Sequence, residues 1–280
     1  MVLLNAQEES VTPHYYLPHH GVLREKSTTT KLRVVFNGSA RTSNDISLND
    51  LLYTGEKLQR DILEILLWIC THRILFSTDI IKMFRQIKIH PKDRNFQRIC
   101  WQDENGQSCS YALTTVTYGL CCASFLALRT LLQLLNDEGP NYSLAITPMS
   151  TGRYVDDIFG GSETKEEAKM VVQQLTQLCN KGGFPLQNWR SNCFEILLEQ
   201  KEKVSTILEP EPAFQKVLGL IWNSETDLFS FSVKAPLTQN YTKRLIASDI
   251  AKLYDPLGLS APVLITAKIL LQELWCLKTG

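Results

Sequence analysis

The spacing of apolar residues along the first hundred positions predicts helices and strands in alternation. Residues 57–70, KLQRDILEILLWIC, repeat apolar side chains at helical spacing and predict a helix. The next stretch, RILFSTDI (73–80), is short and mostly apolar, as expected of a buried strand that ends near an aspartate. A short strand is also predicted at 32–36, between a polar turn and a Gly-Ser turn.

Further along, the pattern favours strand pairs. FRQIKIH (84–90) alternates apolar and polar residues and predicts a strand that Pro91 ends. FQRICW (96–101) and SCSYALTTV (108–116) predict two strands joined by the turn DENGQ.

The second half of the chain mixes long helices with short strands. Helices are predicted at 123–136, within 162–183 and from about 262 to 277, and short strands at 216–222 and 228–233. Between the first two helices, GRYVDDIFGG (152–161) predicts a hairpin. The order of elements therefore predicts an α+β fold, in which helices lie between antiparallel strand pairs.

Composition and cysteine usage narrow the class of protein. With 280 residues, 44% of them apolar and 21% charged, the chain suits one large domain or two modest ones of a soluble protein. It lacks a secretory leader pattern, an apolar run of membrane-spanning length and metal-finger cysteine spacing. We therefore expect a cytoplasmic protein without a membrane partner, whose eight cysteines stay reduced.

Charge is unevenly distributed although the net charge is zero. Residues 24–100 hold 14 lysines and arginines against 8 acidic residues, whereas residues 101–200 hold 6 against 11. A basic first third ahead of an acidic middle suits a protein that binds a polyanion and holds metal with carboxylates elsewhere. Ordinary fluctuation of surface charge is the alternative.

Two adjacent aspartates in the predicted hairpin are the main candidates for chemistry. Asp156 and Asp157 repel each other, so they either lie on a solvated turn or bind a cation. Both side chains reach one site only if a turn breaks the strand alternation. Asp79, after the buried run ILFST, is the best candidate for a third carboxylate, and oxygen ligands of this kind suit Mg²⁺ in a two-metal site.

Several segments in this order resemble motifs of reverse transcriptases, most closely the polymerase of BEL/Pao-type LTR retrotransposons. YVDD (154–157) is similar to the Y-x-D-D box of the palm, and FSTDIIKMFRQIKI (76–89) to the first catalytic motif. TVTYGLCCASFLALRTL (115–131) resembles the glycine-centred motif under the template and the incoming nucleotide. Four further segments resemble parts of the family's proteins. TTTKLRVVFNGSA is similar to a strand of the fingers and GGFPLQNWRSN to a later palm motif. VLGLIWN is similar to the primer grip, and YDPLGLSAPVLITAKILLQELW to the segment that follows the polymerase.

The resemblance implies a right-hand polymerase palm and fingers, an antiparallel sheet backed by helices, with a truncated thumb or connection. The implied divisions are fingers at 1–72, palm at 73–90, a fingers insertion at 91–114, palm with the YVDD hairpin and a primer-grip-like segment at 115–225, and partial thumb or connection at 226–280.

The resemblance also implies roles for individual residues. Asp79 and Asp156 would hold two Mg²⁺ ions, with Asp157 and the backbone carbonyl of Ile80 assisting. The implied nucleotide contacts are Lys31 and Arg33 at the triphosphate, Phe84 as a steric gate against a ribose 2′-hydroxyl, and Tyr118 and Gly119 in the base-pair pocket. Each of these residues also has a purely structural interpretation, as an exposed strand residue, a core aromatic or a bulge glycine. Asn188 departs from the family, whose members often have lysine there.

The function implied is RNA-directed DNA polymerisation on a primed RNA or DNA template, with dNTPs and two Mg²⁺ ions. The alternative is a non-catalytic, transposon-derived remnant that keeps the fold and nucleic-acid binding.

Overall fold

The structure of the protein, a computed structural model, describes residues 1–23, 31–198, 214–231 and 242–277. Within these ranges the strands are β1 (Val2–Leu3), β2 (His19–Leu23), β3 (Leu32–Phe36), β4 (Ile74–Ile80), β5 (Arg98–Gln102), β6 (Ser108–Ala112), β7 (Arg153–Tyr154), β8 (Asp157–Ser162), β9 (Leu186–Ser191), β10 (Phe214–Val217), β11 (Leu220–Asn223) and β12 (Leu228–Ser230). The α-helices are α1 (Ala6–Glu9), α2 (Leu48–Leu51), α3 (Ile62–Ile69), α4 (Met83–Gln86), α5 (Ala123–Glu138), α6 (Ser143–Ser150), α7 (Lys165–Lys181), α8 (Lys243–Lys252) and α9 (Ala261–Cys276).

A four-stranded antiparallel sheet, in the order β7-β8-β4-β9, carries the acidic residues. β4 lies inside this sheet and pairs with β8 on one side and β9 on the other. Residues 74–78 of β4 are all buried, which explains why this strand is apolar on both of its faces.

Helices cover one face of this sheet. Ile74, Phe76 and Ile80 of β4 share a buried cluster with residues of α5, α6 and α7. α7 shows why the sequence forms such a helix: Thr164 accepts a hydrogen bond from the Glu167 N–H at its start, and the side chains it buries recur at helical spacing.

The other face packs against α3 and the hairpin of β10 and β11. Leu75 of β4 and Phe159 of β8 lie in a second cluster with Ile65 and Leu66 of α3 and Trp222 of β11. The hairpin is also fixed by polar contacts, since the Ser77 hydroxyl donates to Gln215 Oε1 at 2.9 Å and the Trp222 indole donates to Asp227 Oδ1 at 3.1 Å. The sheet is therefore the middle layer of this part of the protein.

Smaller antiparallel sheets complete the described fold. β1, β6 and β5 form one sheet, β2 and β3 a second, and β10, β11 and β12 a third. A small cluster of Leu17, Leu48 and Ile99 packs beneath the first of these. None of the helices in the described ranges combines the length and the apolar character needed to span a bilayer.

Most elements predicted from the pattern are confirmed. β3 spans 32–36 as expected, the strand pair around DENGQ is β5 and β6, and α5, α7 and α9 match the three predicted helices. The mixed fold with antiparallel sheets is likewise confirmed. The helix predicted from residue 57 begins only at Ile62, because the Asp61 carboxylate caps it by accepting from the Leu63 N–H.

Two strand predictions are wrong, and α6 and α8 were not predicted. FRQIKIH contains the helical turn α4, which begins after Lys82 at a φ of 47°, and beyond this turn Lys88 makes only an isolated bridge with Thr115. The stretch 216–222 is a hairpin, since Leu218 and Gly219 both have positive φ and reverse the chain between β10 and β11. Residues 232 and 233 of the last predicted strand lie outside the described residues.

Replacing Gly160 tests the packing of the middle layer. A Cβ at Gly160 would overlap the ring of Phe76, which is fully buried. We expect Gly160→Ala to lower the free energy of unfolding by about 1–3 kcal/mol, as overpacked cores do. Gly139→Ala is the matched control, because Gly139 has helical φ and ψ and its Cβ would lie 3.5 Å from Ile146. Denaturant unfolding measures both, and equal stability of the two variants would contradict the packing described.

Candidate active site

Two aspartates face each other across neighbouring strands. Asp79 near the end of β4 is directly opposite Asp157, the first residue of β8. Residues directly opposite in an antiparallel pair extend their side chains to the same face of the sheet. Both carboxylates therefore lie on the face that carries α3 and the β10–β11 hairpin, at one end of the sheet.

The turn between β7 and β8 brings Asp156 to the same end. Tyr154 pairs with Asp157, so Val155 and Asp156 form the turn, and Val155 has a φ of 54°. The Asp156 carbonyl accepts a hydrogen bond from the Ile80 N–H at 2.9 Å, which places the exposed Asp156 beside the end of β4. A turn thus breaks the alternation of side chains along the strand, which is the condition for Asp156 and Asp157 to reach one site. Only Asp156 lies within this turn.

The side chain of Gln59 holds this turn. Its Oε1 accepts from the Val155 N–H at 2.9 Å, and its Nε2 donates to the Arg153 carbonyl at 3.2 Å. A β-branched residue rarely adopts positive φ, so the turn requires support from its surroundings. Gln59 supplies that support from the extended segment before α3.

The surroundings of Asp157 disfavour its charged form. Burial raises the pKa of Asp157 to about 7, and the nearby carboxylates of Asp156 and Asp79 shift it in the same direction. A bound cation would relieve this repulsion, and an all-oxygen donor set suits Mg²⁺. In charge and donor type these residues are of the kind that binds Mg²⁺, and the two-metal site expected from the sequence stays a prediction.

Two amides from β9 engage Asp79. Gln187 Nε2 donates to Asp79 Oδ2 at 2.8 Å, and Asn188 Nδ2 donates to Asp79 Oδ1 at 2.7 Å. Among the residues that the structure describes, no three His, Cys, Asp or Glu side chains are grouped so as to hold a metal ion as they stand. Asp79 is thus oriented by neutral donors, with Asp156 and Asp157 on its other side.

Three of the residues expected to contact the nucleotide lie together. The Arg33 guanidinium lies 5.7 Å from the centre of the Tyr118 ring, and the Tyr118 hydroxyl donates to the Val34 carbonyl at 2.6 Å. Gly119 has a φ of 94°, and a Cβ there would overlap the Phe36 carbonyl oxygen. The close approach of β3 explains why glycine occupies this position.

The other candidates are placed separately. Lys31 is exposed immediately before β3, and Phe84 on α4 packs half-buried against the helix-covered core of the sheet. Ile80 is buried in that core, with its N–H engaged by Asp156. The nucleotide-contact roles of Lys31, Arg33, Phe84, Tyr118 and Gly119 stay predictions.

Sequence reasoning missed Gln59 and Gln187. A single glutamine beside a strand has no periodic or charge signal that distinguishes it from a surface residue. Asn188 was noted only as a departure from the family, whereas its amide contacts the carboxylate of Asp79.

Comparisons with known proteins relate part of the chain to retroelements. Residues 242–280, which include α8 and α9, match the family described as "Pao retrotransposon-like RNaseH-like domain". This match relates the chain to retroelement proteins. A search of curated proteins found no match.

Among solved structures, the chain is similar to two crystal structures of the prototype foamy virus protease–reverse transcriptase. The native protein matches with a TM-score of 0.47 and 17% identity over 62% of this chain and 20% of that chain. The selenomethionine-labelled CSH mutant matches with a TM-score of 0.46 and 17% identity over 61% of this chain and 20% of that chain. The chain thus spans about a fifth of the length of these solved chains.

The raised pKa of Asp157 predicts a pH-dependent stability. Between its ordinary pKa and about 7, the folded chain keeps a proton that the unfolded chain releases, so stability falls as pH rises through this window. Asn at this position does not ionise. The free energy of unfolding of the wild type should therefore fall relative to that of Asp157→Asn as pH rises. In EDTA, we expect this difference to change by about 1–2 kcal/mol between pH 5 and pH 8, after allowing for the partial exposure of the side chain. Parallel stability curves for the two proteins, measured by thermal unfolding, would refute this.

Proposed function

We propose that the chain is the core of an RNA-directed DNA polymerase that transfers nucleotides from dNTPs to a primer 3′-hydroxyl. The observation that carries the proposal is the placement of Asp79, Asp156 and Asp157 at one end of an antiparallel sheet, on a strand and an adjoining hairpin. In this proposal residues 73–90 and 115–225 form the palm, 1–72 and 91–114 the fingers, and 226–280 a partial thumb or connection. The retrotransposon-like match at 242–280 agrees with an origin of this kind.

The three aspartates would hold two Mg²⁺ ions, with the Ile80 carbonyl assisting. When bound, the ions would stabilise charge on the attacking and leaving oxygens of phosphoryl transfer. Asp156 is exposed and so is accessible to an incoming phosphate group, whereas Asp157 is more buried and its proton must leave before it can act as a ligand. This protonation predicts weaker metal binding below neutral pH.

The cluster of Arg33, Tyr118 and Gly119 would bind the nucleotide. Arg33 has a planar fork of donors that suits phosphate oxygens, and its exposure beside the Tyr118 ring leaves these donors near solvent. Lys31, immediately before β3, would add a positive charge next to the strand that carries Arg33. The absence of a side chain at Gly119 would let a base pair approach the backbone, and Phe84 would exclude a ribose 2′-hydroxyl.

A non-catalytic remnant that keeps the fold and nucleic-acid binding is the second candidate. In this candidate the amides of Gln187 and Asn188, which donate to Asp79, would stabilise the carboxylate as part of the fold alone. A nuclease role is a further candidate for the C-terminal segment, because residues 242–280 match an RNaseH-like domain.

Primer extension on a primed RNA template with Mg²⁺ and dNTPs tests the proposal. We expect wild-type extension and at least a 100-fold loss in Asp156→Asn, because each metal-binding carboxylate is required. Asp45→Asn is the matched control, since Asp45 lies on an exposed turn and should retain activity.

The outcomes separate the two candidates. Equal extension by Asp156→Asn and the wild type would refute the proposed site. No extension by any protein, together with template binding that weakens as salt rises, would favour the remnant.

A further inference from the structure

We propose that Gln187 and Asn188 are positioning residues that orient Asp79 for metal binding. This inference rests on the proposed function, because it assigns the two amides a role toward the same carboxylate. Family resemblance gave Asn188 only as a departure and gave Gln187 no role.

The strand order determines from which side the two amides donate to Asp79. β9 and β8 lie on opposite sides of β4, so the donors reach Asp79 from the side away from Asp157. Each Asp79 oxygen accepts one amide N–H, at 2.8 Å from Gln187 and 2.7 Å from Asn188. A carboxylate oxygen has two lone pairs, so one amide N–H does not by itself prevent that oxygen from contacting a cation.

A bulge in β9 makes the double contact possible. Arg190 pairs with Ser77 and Gln187 with Asp79, so β9 has one residue more than β4 between these pairs. Asn188 lies in this bulge with a φ of 55°, a conformation that asparagine tolerates. The bulge breaks the alternation of side chains, so that two consecutive residues of one strand reach the same carboxylate.

Two contacts from β4 hold the bulge. The Thr78 hydroxyl donates to the Gln187 carbonyl at 2.7 Å, and the neighbouring Trp189 packs against Phe76 with ring centres 5.8 Å apart. The two amides are therefore presented by a rigid part of the sheet. Hydrogen bonds to a metal-ligating carboxylate fix its orientation, and removing such partners typically costs about 10–100-fold in metal affinity.

Binding of Mn²⁺, as a probe for Mg²⁺, tests the inference without requiring polymerase activity. Asn188→Gly removes the amide and accommodates the positive φ, and Gln187→Met removes the other amide at similar volume. We expect each variant to bind Mn²⁺ at least 10-fold more weakly in EPR titrations without nucleotide, at a temperature well below its own thermal midpoint so that the chain is folded.

Matched controls make the same changes elsewhere. Asp45→Gly replaces another residue at positive φ, and Gln102→Met removes an amide that donates to Gly106 in the β5–β6 hairpin. Both controls should bind Mn²⁺ as the wild type does.

The titrations distinguish failure of the inference from failure of the proposed function. If the wild type binds Mn²⁺ and Asp156→Asn does not, while Asn188→Gly and Gln187→Met bind as tightly as the wild type or more tightly, the positioning role is overturned and the site stands. If the wild type does not bind Mn²⁺, the proposed function fails, and the positioning role fails with it.

Discussion

Repulsion between carboxylates on a rigid support is the interaction on which this structure depends. Asp79 ends a strand that is buried on both faces, and Asp157 lies opposite it on a strand that is itself packed between two cores. Neither backbone can move away without disturbing those cores, so the charges are kept near each other. The cost of this arrangement shows in the pKa of Asp157, which burial chiefly, and the carboxylates of Asp156 and Asp79 in addition, raise to about 7.

Neutral groups compensate for part of that cost. Gln187 and Asn188 donate to Asp79, and Gln59 supports the strained turn that carries Asp156. Gln59 comes from the segment before α3, whereas Gln187 and Asn188 are neighbours in β9, so two distant parts of the chain supply these amides.

The sequence predicts much of the framework because local signals suffice there. β4, α5 and α7 follow from periodicity and capping, and the resemblance pointed to Asp79, Asp156 and Asp157 as one group before any geometry was known. Prediction failed where positive φ decides the path of the chain, as at Lys82 and Leu218, since lysine and leucine carry no signal for that conformation. The amide contacts could not be predicted because they depend on strand register and on a bulge.

The most direct test of the central claim is X-ray diffraction from crystals grown with MnCl₂, recorded at a wavelength that gives manganese anomalous scattering. The account predicts an anomalous peak within coordinating distance of the Asp79 and Asp156 carboxylates. An ordered site in which all three aspartates are visible and no peak lies beside them would contradict it.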